Sequence, residues 1–213
     1  NDVGIDSTGI IWVAGTTSGT FSANGKSHQA VSQADTVLVK WSPTGSVLDV
    51  YGFTSAAGQI NLPQDLEITM NDDILVGGVF LGSIDAGNQV SMTDSGNGDA
   101  YLIKFDKAGM ASWGLSAGSS GGLERVYSIA EDSAGNFYVG GMISANTAFG
   151  SNYINSNGGL DLYMAKVDSQ GSWEWVENLG SSADDLFADI AVNMSDFPAV
   201  IGSYQSTINK GSS

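Results

Sequence analysis

The residues that could do chemistry are few. His28 is the only histidine and there is no cysteine, which excludes a histidine-centred triad, a multi-histidine or thiolate metal site, a disulfide and a cysteine nucleophile within this sequence. In its polar surroundings His28 reads as a solvated loop residue. Paired carboxylates at Asp72 and Asp73, Glu131 and Asp132, and Asp184 and Asp185 could offer oxygen to calcium, a hard cation that takes about six to eight such ligands. None has the ligand spacing of an EF-hand or a calcium-binding nonapeptide, and solvated turns are the simpler account. Asp72, Asp73, Asp184 and Asp185 are the metal candidates, calcium is the metal they would suit, and no other cofactor is expected.

Nucleotide motifs fail on inspection. Gly25-Lys26-Ser27 has Thr20 where a phosphate-binding loop needs its first glycine, and Gly96-Asn97-Gly98 is followed by Tyr101 where a third glycine belongs. Asn193-Met194-Ser195 is a glycosylation sequon. No catalytic residue is assigned.

Lysine and aspartate recur. Lys40, Lys104 and Lys166 step by 64 and 62 residues, as do Asp35, Asp99 and Asp161, and Gly45, Gly109 and Gly171. Three residue types keeping one period mark an internal repeat, so these positions read first as framework. Each lysine ends an apolar strand face and is expected to snorkel to a carboxylate of a neighbouring unit. The aspartates read as strand-start anchors for backbone amides.

The elements that position these residues follow from the same repeat. A second run ends in glycine at Gly15, Gly78 and Gly141, spaced by 63, and more loosely at Gly202. Each unit resolves into four short strands: a first (65–70, Arg125–Glu131, Leu186–Val192), an aromatic and β-branched second, the Asp-to-Lys third, and a fourth holding Trp113 or Trp175. Asp6-Ser7-Thr8-Gly9, Asp132-Ser133-Ala134-Gly135 and Asp168-Ser169-Gln170-Gly171 suit tight turns, with Asp bonding local backbone and Gly taking positive φ. About 20 residues of Ser, Asn, Gly and Thr join the second strand to the third, long enough for an extra hairpin or a protruding loop. Residues 182–191 carry a local helix pattern, but the repeat places them on a first strand. Pro198 suits only a strand start.

Tyr101, Ile103 and Phe105 alternate with Ala100 and Leu102, so the third strand is apolar on both faces. Small sheets covered on both sides by neighbours built alike form propeller blades or solenoid layers. The expected fold is all-β: propeller blades of four antiparallel strands, about three and a half units, at 1–61, 62–122, 123–182 and 183–213. Fewer units than a closed ring needs imply that the remaining blades are supplied in cis or in trans.

A charge of −16 from 23 acidic and 7 basic residues repels phosphate backbones and anionic membrane surfaces, so neither nucleic-acid binding nor membrane insertion is expected. The long connections at 16–34, 81–98 and 144–159 present Asn, Ser, Thr and scattered aromatics. Phe21, Asn24, His28, Asn88, Asn97, Phe149 and Tyr153 are the candidate binding-loop residues, for protein or carbohydrate.

The run Asp…Lys-x-Asp-x-x-Gly-x-x-x-Trp, followed by Ile-Ala-x-Asp-x-x-Gly-Asn and an apolar triplet ending in Gly, resembles the bacterial seven-bladed β-propeller (SBBP) repeat. The best copy spans 99–141, where Lys104, Gly109, Trp113, Ile129, Ala130, Asp132, Gly135, Asn136, Val139 and Gly141 fall on the motif. Asp49 replaces the tryptophan in the first unit, and Asn71-Asp72-Asp73 shortens a turn in the second. The resemblance implies an exported bacterial protein, extracellular, on the cell surface or periplasmic. It also implies a non-enzymatic binding or scaffold role in adhesion or surface assembly. The alternative is part of a propeller enzyme, a lyase, hydrolase or quinoprotein-like oxidoreductase, with its catalytic residues outside this segment.

Overall fold

Runs of β-branched and aromatic residues, cut at intervals by turns with a side-chain oxygen at the start, leave the backbone extended and each face apolar. In the structure, a computed structural model in which residues 2–207 are described, these runs form strands in four successive units and no helix. The first unit holds β1 (Asp2–Ile5), β2 (Ile11–Thr17), β3 (Thr20–Ala23), β4 (Lys26–Gln29), β5 (Asp35–Trp41) and β6 (Val47–Ser55). The second holds β7 (Asn61–Ile68), β8 (Ile74–Phe80), β9 (Ser83–Asp85), β10 (Ser91–Thr93), β11 (Asp99–Phe105) and β12 (Ala111–Gly118). The third holds β13 (Arg125–Glu131), β14 (Phe137–Ile143), β15 (Thr147–Phe149), β16 (Asn152–Ile154), β17 (Asp161–Val167) and β18 (Trp173–Asn178). The fourth holds β19 (Leu186–Val192) and β20 (Pro198–Ser203).

Every pairing within a unit is antiparallel, in the order first, second, third, fourth strand, and the sheets follow one another in a curled array. The helix-like stretch at 182–191 ends in β19, and Pro198 opens β20. Tertiary pairing overrides the local pattern there, because Phe187 and Ile190 are buried against the third unit.

The first strand of the second unit begins at Asn61 and stops at Ile68, earlier at both ends than the expected 65–70. Thr69 has left the strand to start the turn, its Oγ1 accepting the N–H groups of Asn71 and Asp73 at 3.3 and 3.0 Å. Asp6, Asp132 and Asn193 do the same job in the other units, each accepting two amides of its turn. Three chemically different side chains keep one turn because each places an oxygen where the second and fourth amides of the turn converge.

The extra hairpins depart most from expectation. β9 hydrogen-bonds to the end of β6, and β15 to the end of β12, so each hairpin extends the sheet of the unit before its own. They are not protruding loops: Ile84 and Phe149 are fully buried. The β3–β4 hairpin is paired only with itself and lies over the first sheet, where Phe21 and Ala23 cover Val37 and Val39.

Between successive units the core is continuous. One cluster joins Trp12, Leu38 and Phe53 to Val76, Tyr101 and Phe105. A second joins Leu75, Leu102 and Ala117 to Val126, Phe137 and Tyr163. A third joins Tyr138 and Leu162 to Phe187 and Ile190. Within the second and third units Gly78 and Gly141 let the first and second strands close up: a methyl group on them would meet the Leu62 carbonyl oxygen at 2.1 Å and the Arg125 carbonyl oxygen at 1.9 Å. The rings of Tyr101 and Tyr163 cover the two glycines on the strand opposite, and both are buried.

Candidate functional site: the inner-strand carboxylates

The first strands β1, β7, β13 and β19 pack side by side through all four units. Alternation puts Asp2, Asp65 and Glu67 along this line, with Glu131 at the end of β13. The carboxylates bridge units. Asp2 Oδ2 accepts the Leu66 N–H at 3.2 Å, Asp65 Oδ2 that of Ile129 at 2.6 Å, and Glu131 Oε2 that of Met70 at 2.6 Å. Asp189 Oδ1 accepts the Ser128 hydroxyl at 2.7 Å. At the turns the bridging continues: Asp72 accepts both the N–H and the hydroxyl of Ser7, and Asp196 those of Ser133.

Burial and like charge act on this column together. Burial, followed by a hydrogen bond and the charge from Asp2, pushes the Asp65 carboxyl up to about 7. Burial, with the charges of Asp65, Glu131 and Asp2 behind it, brings Glu67 up to about 7 as well. Glu131 is raised for the same first reason. Groups that titrate near neutrality can take and release protons, the raw material of general acid–base chemistry. Here, however, the carboxylates of Asp65 and Glu131 are also engaged with backbone amides of an adjoining unit.

The repeated lysines stay close to home. Lys104 Nζ is 3.1 Å from Asp73, and Lys166 Nζ is 3.5 Å from Asp132 and 3.6 Å from Glu174. Each of these carboxylates belongs to the lysine's own unit, correcting the expectation of a partner across the gap. Antiparallel pairing of second and third strands brings the turn that opens β8 or β14 beside the end of β11 or β17. Lys40 does cross, donating to the Lys107 carbonyl at 2.7 Å, and its ammonium lies 4.8 Å from the Trp12 ring centre. The anchoring aspartates behave as expected: Asp35 accepts the Val31 N–H, Asp99 that of Ser95, and Asp161 that of Asn157.

The loop residues are largely framework. His28 is not a solvated loop residue. It sits on β4, its ring over Gly52 and its Nε2 3.1 Å from Oδ2 of fully buried Asp35. The folding of the β3–β4 hairpin over the sheet drives it inward. Phe149 is likewise buried, against Tyr163 and Trp173, because β15 joins the β12 edge. Asn24 and Asn88, exposed at positive φ, donate to the carbonyls of Val47 and Ala111 at the starts of fourth strands, and Asn152 donates to that of Trp173 in the same way. Asn97 donates to the Gly121 carbonyl. Phe21 is half-buried, and Tyr153 is 59% exposed. The sequence held a signal for the asparagine pattern, since Asn24, Asn88 and Asn152 step by 64 residues each, within two residues of the repeat, which composition alone conceals.

The metal candidates are held apart by their partners. Asp73 pairs with Lys104, Asp72 with Ser7, Asp184 with the Leu160 amide, and buried Asp185 with Ser181 and Gln205. Among the described residues, no group of three or more His, Asp or Glu side chains is disposed to hold a metal ion. No helix among them is long and apolar enough to cross a membrane. Comparison with protein-family models finds no match, and no curated protein matches the chain.

Proposed function

We propose that the units are consecutive blades of an SBBP-like β-propeller, and that the chain serves as a non-enzymatic binding and scaffold segment, extracellular or at the cell surface. The bridge from carboxylate to next-unit amide carries the reading. Asp2 to Leu66 and Asp65 to Ile129 span the same offset of 64 residues in successive gaps. Asp2 and Asp65, at one register position, are used for joining units rather than for a differentiated pocket, as a scaffold requires. Protein or carbohydrate partners would meet the exposed rim around Tyr153, and further blades the open faces of the terminal units. An antibody raised to the purified protein and applied to intact and permeabilised source cells tests the placement. Labelling of intact cells is expected, and labelling only after permeabilisation rejects it.

One observation favours an enzyme whose catalytic groups lie within this segment rather than outside it, of lyase or hydrolase type: burial raises Asp65 and Glu67 both to about 7. Turnover of a polysaccharide or ester panel that disappears in Asp65→Asn and Glu67→Gln would establish it over the first.

A further inference from the structure

Arg125 is the only arginine in a chain carrying 23 acidic residues, yet among the described residues it makes no ion pair, and its Nε is buried without a hydrogen-bond partner. It lines a cavity of about 340 Å3 between the third and fourth units, with Leu123, Tyr127, Met142, Leu160 and Leu186 as the other walls. The repeat makes the residue conspicuous. Register places Leu62 of the second unit, paired with Val79, and Leu186 of the fourth, paired with Ser203, where the third unit has Arg125, paired with Met142. A cation has replaced a framework leucine at one gap only.

The nearby carboxylates are committed elsewhere. Glu124 lies on the opposite face of the chain by alternation, fully buried, accepting the hydroxyls of Ser119 and Thr147 at 2.9 and 3.2 Å. Burial raises it to about 7, which blunts its charge. Asp185 is held by Ser181 and Gln205, and Asp184 accepts the Leu160 amide. The guanidinium thus offers its planar donors, without an internal anion, at a wall of aliphatic side chains.

We propose that this cavity binds a free alkyl monocarboxylate, the carboxylate paired with Arg125 and the chain lying among Leu123, Met142, Leu160 and Leu186. A chain of about eight to ten carbons suits a cavity of this size. Isothermal titration of the whole protein with octanoate, decanoate and 1-decanol, each below its aggregation limit, tests this. Decanoate is expected to bind at least about tenfold more tightly than 1-decanol and about tenfold more tightly than octanoate. Arg125→Gln should remove the preference for decanoate over 1-decanol while leaving 1-decanol binding in place, and Arg125→Lys should keep part of it. Leu186→Trp, at a half-exposed position on the cavity wall, should weaken all three ligands together. Should Arg125→Gln not fold, the Arg125→Lys variant and the wild-type comparison of acid with alcohol still decide. Equal affinity for decanoate and 1-decanol, no measurable binding of decanoate, or an undiminished preference in Arg125→Gln would overturn the assignment.

Discussion

The carboxylate of Asp65 accepts the backbone N–H of Ile129 across 2.6 Å, joining the first strands of two successive units. The amide is an obligatory donor on β13, the edge strand of its sheet, where no strand of its own unit lies on the outer side to accept it. Replacing Asp65 with Leu should strand it and cost about 1–3 kcal/mol in urea unfolding. Asp65→Asn, which keeps an acceptor and removes a charge repelled by Asp2, should be neutral or stabilising at pH 8.

The same column sets a pH dependence. Asp65 and Glu67 rise from 3.8 and 4.5 to about 7, so the fold favours their protonated forms. Unfolding therefore releases protons between these limits, and stability falls as pH climbs from about 4 through about 7. Asp6 and Asp132 are shifted down from 3.8, and their contribution is lost on acidification below that value. Thermal melts should accordingly peak near pH 4–5 and fall by several degrees by pH 8. The Asp65→Asn, Glu67→Gln double variant should flatten that decline.

At Gly141 a methyl group would lie 1.9 Å from the Arg125 carbonyl oxygen, whereas at Gly15, its counterpart in the first unit, nothing among the described residues lies within 4 Å. Gly141→Ala should therefore lower stability by about 2–4 kcal/mol. Gly15→Ala should change it by less than about 0.5 kcal/mol. Equal effects in calorimetry would show that β13 and β14 are not paired at this spacing.

Ser133 gives Asp196 both its N–H and its hydroxyl, at 2.8 and 2.6 Å. Only the hydroxyl is removed by Ser133→Ala. A double-mutant cycle with Asp196→Ala should return a coupling of about 0.5–1 kcal/mol, and additivity would mean that these turns do not touch in solution.

His28 donates through Nε2 to the carboxylate of Asp35, which has no exposure to solvent. His28→Leu leaves Asp35 one polar partner short and should destabilise by about 1–3 kcal/mol, with His28→Gln recovering part of the loss. A solvated histidine would show no change.

Strand assignment is legible in the sequence because Lys104 and Lys166, Gly78 and Gly141, and the turn glycines each keep the period, and a two-residue alternation can be read without neighbours. The early end of β7 is hidden because Thr69 does the work of Asp6 and Asp132 with a different side chain. Phe149 and His28 mislead for a shared reason: their burial depends on where a hairpin docks, a contact set by the β12 edge or by Gly52, not by the residues flanking them. The inter-unit carboxylates are also invisible one at a time. Asp2 and Asp65 share a register but have serine at the third position, Ser128, so the column emerges only when the strands stand together. Arg125 escapes a search for periodicity because nothing repeats it, although failing to repeat is what distinguishes it from Leu62 and Leu186.

The hairpin of β9 and β10 belongs to the second unit by covalent order but bonds to β6 of the first, and β15 with β16 does the same one step along. Like roof tiles, each unit is lapped by the next. Trimming the chain at the end of a repeat would strip the lap away and bare the backbone donors and acceptors at the tip of β6 or β12, an edge prone to self-association.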